Sequence, residues 1–507
     1  MKKTTVCVIA LAAMTFAMTS CNKEEGNVTE TINAFTESNE LLNEVKTHTV
    51  QDSLLYWDEG DQILISDASN NSAYYEAMYG GGNTTFRFLQ NTNNARPFDA
   101  NNGTLTAVYP KSLGIYTGNT KINLPATQWT NTGDVENFPM VGLGALNEFR
   151  FRNACGVFRM ILTYAGTIDS ISITTDKYVS GYFSVNFDNE NPLSYYVTYN
   201  NFGHGSKTAT LKFRHGLVNA ANQKVNIYLP AAEYNVFDIT FYSGNTKLVK
   251  RNNSNITISR TQAQQVSMTL NEASFATYNK GVTAGTFMVA ASSAVRLATG
   301  NLQFIAQPGA TAYWRIADNQ FDTYTTSQTG VGTGHMTADR DIFAFGANGN
   351  GYQGNSQLVW GGTQRFDAAE TFDFTCNLGN AASGMRALTN AEWEYLLAHQ
   401  THATVTFNGV NGLMILPHDC TLTLTEGATL SKHEYNTYMV VGAAFLPINK
   451  YRNETGRRNG IYTYASVSGT SYYWTATSGK AVNANNATVD DFAANNGAYV
   501  RLALDVE

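Results

Sequence analysis

Charge is scarce in this chain: Asp, Glu, Lys and Arg make up 14% of its 507 residues, and the net balance is a mild −7. A nucleic-acid-binding surface needs basic stripes, so that class of partner is excluded. Cysteine is rarer still, at five, and one of these, Cys7, lies in the N-terminal apolar segment. Beyond Cys21, the thiols Cys155, Cys376 and Cys420 are too sparse for a disulfide framework or a zinc pattern. A bridge between Cys376 and Cys420 stays open; buried free thiols are the plainer expectation. After the first twenty residues no apolar run approaches the roughly 20 residues of a spanning helix. Also missing are a nucleophile with a matching base and a glycine loop for phosphate. His399 and His402 stand three apart but lack a clear acidic partner, and read as solvated or helix-capping. Asp339 and Asp341 flank Arg340, as in a surface ion pair or turn, and Asp490-Asp491 reads as a polar loop. No catalytic residue, metal site or cofactor is therefore expected.

The N-terminus is informative. Met1-Lys2-Lys3 precedes the apolar run Val6 to Met14, and small residues lead to Ser20. A basic head, a short apolar stretch and small residues before a cut describe a secretory signal peptide over 1–20. Cys21 directly after that cut resembles the lipidated cysteine of bacterial lipoproteins, although Met18-Thr19-Ser20-Cys21 departs from the common Leu-Ala-Gly-Cys box. An ordinary signal peptide cut nearby, with Cys21 incidental, is the alternative. Asn22-Lys23-Glu24-Glu25 resembles the acidic signal that sends Bacteroidetes lipoproteins to the cell surface. This implies an outer-membrane location, with fatty acyl chains such as palmitate on Cys21 as the anchor.

From about Val50 to Leu270 short alternating runs dominate, such as Ser170-Ile171-Ser172-Ile173-Thr174 and Lys224-Val225-Asn226-Ile227-Tyr228-Leu229, broken by Asn, Gly, Ser and Asp. Period-two alternation with frequent turns predicts antiparallel strands with one buried and one wet face. The length suits two sandwiches with a seam near residue 145. Within this span Trp57-Asp58-Glu59-Gly60-Asp61-Gln62-Ile63, Ala107-Val108-Tyr109-Pro110 and Leu124-Pro125 with Gln128 resemble strand motifs of the fimbrillins. Those are subunits of type V pili in Bacteroidetes. Phe151-Arg152-Asn153, Val157 to Leu162, Ser180-Gly181 and Leu229-Pro230 follow in the family's order. The resemblance implies transthyretin-like sandwiches at 46–145 and 146–272, preceded over 21–45 by a lipidated tether and a removable first strand. Proteolysis after a basic residue removes that strand in the family, and another subunit's strand fills the groove. Lys46 is the sole Lys or Arg between Lys23 and Arg87, and so is the candidate processing site.

A polar linker over 273–283 leads to a segment of different character. Thr389 and Glu392 form a capping box, and Trp393, Leu396 and Leu397 share one face of the predicted helix. Met385 to Tyr395 resembles an element of formylglycine-generating-enzyme-like domains, which are elaborated C-type lectin folds. Trp314-Arg315-Ile316-Ala317, Gly442 to Pro447, Tyr473-Trp474-Thr475 and Val500-Arg501-Leu502 extend the match over 284–507. The oxidase chemistry of that family needs a cysteine pair near the C-terminus, and no cysteine follows Cys420. The triplets Glu-Pro-Asn and Gln-Pro-Asp of calcium-dependent sugar binding are also absent.

What remains is a display surface between 457 and 499, rich in Tyr, Asn, Ser, Thr and Gly, the vocabulary of adaptable binding loops. Its candidate ligand residues are Tyr462, Tyr464, Tyr472, Tyr473, Thr475, Asn483, Asn485, Asn486, Asp490, Asn495 and Asn496. The placement also resembles variable proteins diversified by retroelements. The expected protein is mainly β: two sandwiches carrying an α+β lectin-like head. The expected role is a pilus tip or accessory adhesin, binding a host or bacterial glycan or protein and joined to other subunits by strand addition. A membrane-retained receptor or glycan-capture lipoprotein is the competing reading.

Overall fold

The computed structural model describes residues 31–36, 57–67, 71–89, 98, 104–115, 121–133, 137–145, 148–187, 195–199, 205–260, 263–279, 281–305, 313–324, 341–344, 384–458, 461–494 and 496–506. Cys21, Lys46, Asp339, Arg340, Cys376 and Asn495 lie outside them. The described chain is mainly β, with mostly antiparallel pairing. No described helix is long and apolar enough to cross a membrane.

The first unit starts with β1 (Thr31–Thr36), β2 (Gln62–Ser66), β3 (Ser72–Ala77), β4 (Asn83–Leu89) and β5 (Leu105–Tyr109). The chain leaves it for β6 (Gly114–Ile115), β7 (Lys121–Leu124) and β8 (Thr127–Thr130), then returns as β9 (Met140–Ala145) and β10 (Glu148–Asn153). The seven strands close into a ring in the order β1-β10-β9-β5-β2-β3-β4. Two open layers were expected here; closure comes from β1, which pairs antiparallel with β4 and parallel with β10. Alternation selects the core: Ala73, Tyr75 and Ala77 of β3 point inward while Ser72, Tyr74 and Glu76 are half-buried.

Motifs far apart in sequence meet in this ring. The Trp57 ring meets Phe86, Tyr109 and Phe151 edge-on at 5.0, 5.2 and 5.0 Å. Tyr109 donates its hydroxyl to Asp61 at 2.8 Å, which joins the Trp-x-x-Gly-Asp element to the Tyr-Pro element. Gly60, at φ +90, occupies the left-handed position between Trp57 and Asp61 that a side chain would strain.

The second unit is built on two long strands, β11 (Gly156–Thr175) and β14 (Thr208–Leu229), with β12 (Gly181–Phe187) and β13 (Tyr195–Tyr199) between them in sequence. There follow β15 (Ala232–Tyr234), β16 (Phe237–Ser243), β17 (Thr246–Arg251), β18 (Ile256–Ile258), β19 (Ala263–Thr269) and β20 (Ala276–Thr277). The main sheet runs β20-β17-β16-β11-β14-β8, with β19 parallel to β11. Strand pairing crosses residue 145 in both directions. β10 belongs to the first ring, whereas β7 pairs with β12 and β8 with β14. Gln128 explains why β8 docks there: its buried side-chain amide donates to Tyr228 O at 2.8 Å and accepts from Tyr228 N at 3.1 Å. The buried Cys155 is a free thiol in the core that the two units share.

The segment expected as a linker is tied down. β20 pairs with β17, and Phe275 stacks on Tyr164 at 5.1 Å.

The last unit comprises β21 (Phe287–Ala290), β22 (Ser293–Leu297), β23 (Leu302–Ile305), β24 (Tyr313–Ile316), β25 (Phe343–Ala344), helix α1 (Asn390–His399), β26 (His402–Phe407), β27 (Val410–Ile415) and helix α2 (Lys432–Val440). It ends with β28 (Ala444–Ile448), β29 (Lys450–Arg458), β30 (Ile461–Ser468), β31 (Tyr472–Trp474), β32 (Lys480–Asn483), β33 (Thr488–Asp491), β34 (Gly497–Ala498) and β35 (Ala503–Asp505). Its two ends meet, because β35 pairs with β22. The expected capping box on α1 is present, and Arg386 braces it with a bidentate ion pair to Glu392 and a second to Asp505.

Asp341, expected in a surface ion pair or turn, is instead buried, where it accepts Tyr324 N at 2.7 Å. Burial pushes its carboxyl up to about 7, against the opposing pull of Tyr324 N–H and Lys450. An acid whose folded pKa exceeds its unfolded value near 3.9 holds its proton more tightly when folded. Its contribution is therefore fully favourable below pH 4 and is lost as pH rises to 7, by up to about 4 kcal/mol. Asp341→Asn is expected to leave the Tm of this unit unchanged near pH 3.5 and to raise it progressively from pH 5 to pH 8. Parallel melting curves for the two proteins across that range would reveal a different site of titration.

Candidate functional site

Among the described residues three places bear on the expected chemistry and binding. The first is the seat of β1. Ala34 is fully buried, and the strand runs in register with Asn83 to Arg87 on one side and Phe149 to Phe151 on the other. Its neighbours in the ring all come from residue 62 onward. Taking β1 away would leave β4 and β10 with unpaired backbone edges on either side of an apolar slot, a strong acceptor for another strand.

The second is the face built from β29 to β33. Tyr472 stacks on Phe492 at 4.2 Å and meets Tyr451 edge-on at 5.1 Å, so an aromatic cluster anchors the loops from below. The expected ligand residues divide by burial. Tyr473 is fully buried, donating its hydroxyl to Pro447 O at 2.9 Å, and buried Thr475 donates to Lys480 O at 3.0 Å. Asn483 and Asn496 are buried as well, and Asn483 donates to Asp490 at 2.9 Å. Those four side chains are taken up within the fold: β31 and β32 are covered on both faces, with Tyr473, Trp474 and Thr475 buried in succession and Ala481, Val482 and Asn483 likewise. Asn485 works mainly within the fold too: it accepts Ser471 N at 3.1 Å and donates to Gly469 O at 2.9 Å. Asn486 is exposed; Tyr472 and Asp490 are partly so. Tyr462 and Tyr464 lie on β30, and their side chains fall outside what is described.

The third place is the junction of the second and last units, which the sequence did not reveal. Lys207 Nζ lies 2.5 Å from Asp322, and the Asp318 carboxylate accepts from Ser206 Oγ and from Lys207 N. Arg315 donates to Gly205 O at 2.9 Å and Asn319 to Thr175 O at 2.8 Å. Arg315 is the arginine of the Trp-Arg-Ile-Ala element, so that motif serves the seam as well as its own unit. The charges are desolvated but densely hydrogen-bonded, the condition under which a buried ion pair persists. Burial pushes the Asp322 carboxyl up while Lys207 pulls it down.

Elsewhere, His399 Nδ1 bonds Tyr395 O at 2.8 Å and His402 Nδ1 bonds Gln400 O at 3.0 Å, both local backbone contacts. Among the described residues no group of three His, Cys, Asp or Glu side chains could hold a metal ion.

No family model matches the chain, and none of the curated proteins matches it. Solved structures similar to part of it come from Bacteroidetes. A candidate cell adhesion protein of Bacteroides ovatus is 13% identical over 49% of this chain and 94% of its own, with a TM-score of 0.30. A fimbrial protein of the same organism is 11% identical, covers 52% of each chain and has a TM-score of 0.22. The tip fimbrial protein Mfa3 of Porphyromonas gingivalis, with a C-terminal truncation, is 10% identical over 44% of this chain and 80% of its own, at a TM-score of 0.19. At such scores the likeness is slight.

Proposed function

We propose that this protein is a surface-anchored adhesive subunit, lipidated on Cys21, that gives up its first strand and takes a strand from a neighbouring subunit. The observation that carries this reading is the placement of β1, a short strand between β4 and β10 supplied from ahead of Lys46. A cut after Lys46 would free it while leaving the six other strands of the ring on one chain. Refilling the slot restores backbone hydrogen bonds on both sides, which gives affinity, and the buried positions facing inward give selectivity. The last unit would then stand at the far end as a lectin-like head, with Tyr472, Asn485, Asn486 and Asp490 at the accessible rim of its loops. A distal position suits a chain that accepts a strand at one end and carries a head at the other.

The test is to cleave the purified chain between Lys46 and Trp57 and remove the released segment. The first unit should melt at least about 10 °C lower, since each kcal/mol moves a domain of this size by several degrees. A synthetic peptide covering residues 29–38 should restore it. In cells, Lys46→Ala should block trimming and incorporation into polymers. An unchanged melting curve after removal, or normal polymers from Lys46→Ala, would reject the assembly reading.

A further inference from the structure

The outward face of the second unit's main sheet has a chemistry unlike the rest of the surface. On β14 the run Thr208-Ala209-Thr210-Leu211-Lys212-Phe213-Arg214 alternates strictly, with Ala209, Leu211 and Phe213 buried and the others turned out. On β11 Ile171 and Ile173 go inward while Ser172 and Thr174 face the same way as the β14 hydroxyls. Cross-strand pairs result: Ser172 with Thr210 and Thr174 with Thr208, each 2.8 Å between oxygens. The Tyr242 hydroxyl of β16 joins the row through Ser172 and Thr240.

The last unit leans over one side of this face through Ile316, Ala317 and Asp318, and leaves a cleft of about 570 Å³. That volume lies within the roughly 300–1,000 Å³ of small-molecule sites, which favour domain junctions. At one end Tyr278 packs beside Tyr242 at 5.5 Å, with Lys247 Nζ 4.9 Å above the Tyr278 ring. At the other end the cleft meets, through Thr127, a second hollow of about 350 Å³ that contains Trp129. Trp129 is 44% exposed, and Lys212 and Arg214 both stand 5.5 Å from its ring.

Of the two carboxylates at the cleft, Asp318 is ion-paired with Arg315 at 3.7 Å and also accepts from Ser206 and Lys207. Asp169 accepts Gly244 N at 2.6 Å and keeps its charge; against that one anion stand Lys212, Lys247 and, beside Trp129, Arg214. The groove therefore offers a floor of hydroxyls, an aromatic plate at each end and an excess of cations. Hydroxyls alone suit any polar chain. Rings at both ends suit flat, weakly polar sugar faces, and the cations add a demand for negative charge.

We propose that this groove binds an acidic oligosaccharide, its sugar rings laid on Tyr278 and Trp129 and its carboxylate or sulfate groups met by Lys212 and Lys247. None of these residues touches β1 or the β29 to β33 loops, so the site stands apart from the assembly reading and can fail or succeed without it.

The test uses the full secreted chain in calorimetric titrations with three probes: a heparin-derived tetrasaccharide, tetragalacturonate and neutral maltotetraose. The first two separate sulfate from carboxylate as the recognised anion. At least one should bind ten or more times more tightly than maltotetraose, and its affinity should fall as salt rises. Lys212→Ala and Lys247→Ala should each weaken it about threefold or more, and Tyr278→Ala about tenfold, while Tyr278→Phe retains most of it. The melting temperature should not move with Lys212→Ala, whose side chain is exposed. Equal affinity for all three sugars, no binding of either anionic one, affinity indifferent to the lysine and tyrosine changes, or tighter binding of an acidic peptide such as hexaglutamate would each overturn the proposal.

Discussion

Trp57→Ala is expected to destabilise the first unit by about 3–5 kcal/mol, the range for emptying a large aromatic from a core. The Trp57 side chain is buried, and its three edge-on contacts join strands from three parts of the ring, carried by Phe86, Tyr109 and Phe151. Each such pair adds about 0.5–1.5 kcal/mol beyond the apolar area it buries. Among the described residues the indole nitrogen has no hydrogen-bond partner, so Trp57→Phe should cost clearly less than alanine. Amide hydrogen exchange resolved by strand is the suitable measurement, because a chain of several units does not melt as one. Fast exchange should spread over β2, β4, β5 and β10 and spare β26 to β28. A loss confined to the turn at Gly60 would show that Trp57 only orders its own loop.

The second large effect is expected at Arg501. Its guanidinium is fully buried and donates to Ala298 O at 2.9 Å and Phe445 O at 2.8 Å, clamping two segments that the sequence separates widely. Burial pushes its pKa down to about 10, so the group stays charged at neutral pH. Two effects oppose each other on substitution. Removing a desolvated charge is favourable, and apolar replacement of buried ions can be neutral. Against this, each buried carbonyl left unpaired costs about 1–3 kcal/mol. Phe445 sits in a second clamp, since its N–H donates to Gln320 Oε1 at 2.6 Å, so the segment cannot easily turn its carbonyl to water. The carbonyl cost should win: Arg501→Met is expected to destabilise the last unit by about 2–4 kcal/mol. Arg501→Lys should cost a comparable amount, because a point ammonium cannot reproduce the planar fork. Denaturant unfolding followed by exchange at β22 and β35 checks both. A lysine variant as stable as the parent would show that charge alone matters there.

Much of the fold was legible because local rules and tertiary need agreed. The Thr389 to Glu392 capping box marked a helix start, and α1 begins there. A second box, Ser431 with Glu434, starts α2 and carries the same signal. Alternation gave the inward faces of β3, β11 and β14. It also made β11 and β14 look like several short strands. Left-handed Asn219 and Asn222 and the register shifts near Leu162 to Ser170 interrupt the pattern without ending the pairing.

The candidate site was less legible. Tyr473 and Thr475 have the residue types of a binding loop, yet both are buried, and composition cannot tell a tyrosine that faces solvent from one that donates to Pro447 O. The sequence by itself determined the sparse charge, the basic head and apolar run ahead of Cys21, and the strand periodicity, since each is a property of neighbours along the chain. Only the tertiary structure decided that Thr31–Thr36 closes the first ring, that β7 and β8 serve the second unit, and that Lys207 meets Asp322 across a seam. Those pairings join residues dozens to more than a hundred positions apart, where no local period reaches and only the summed burial of the whole chain selects the partner.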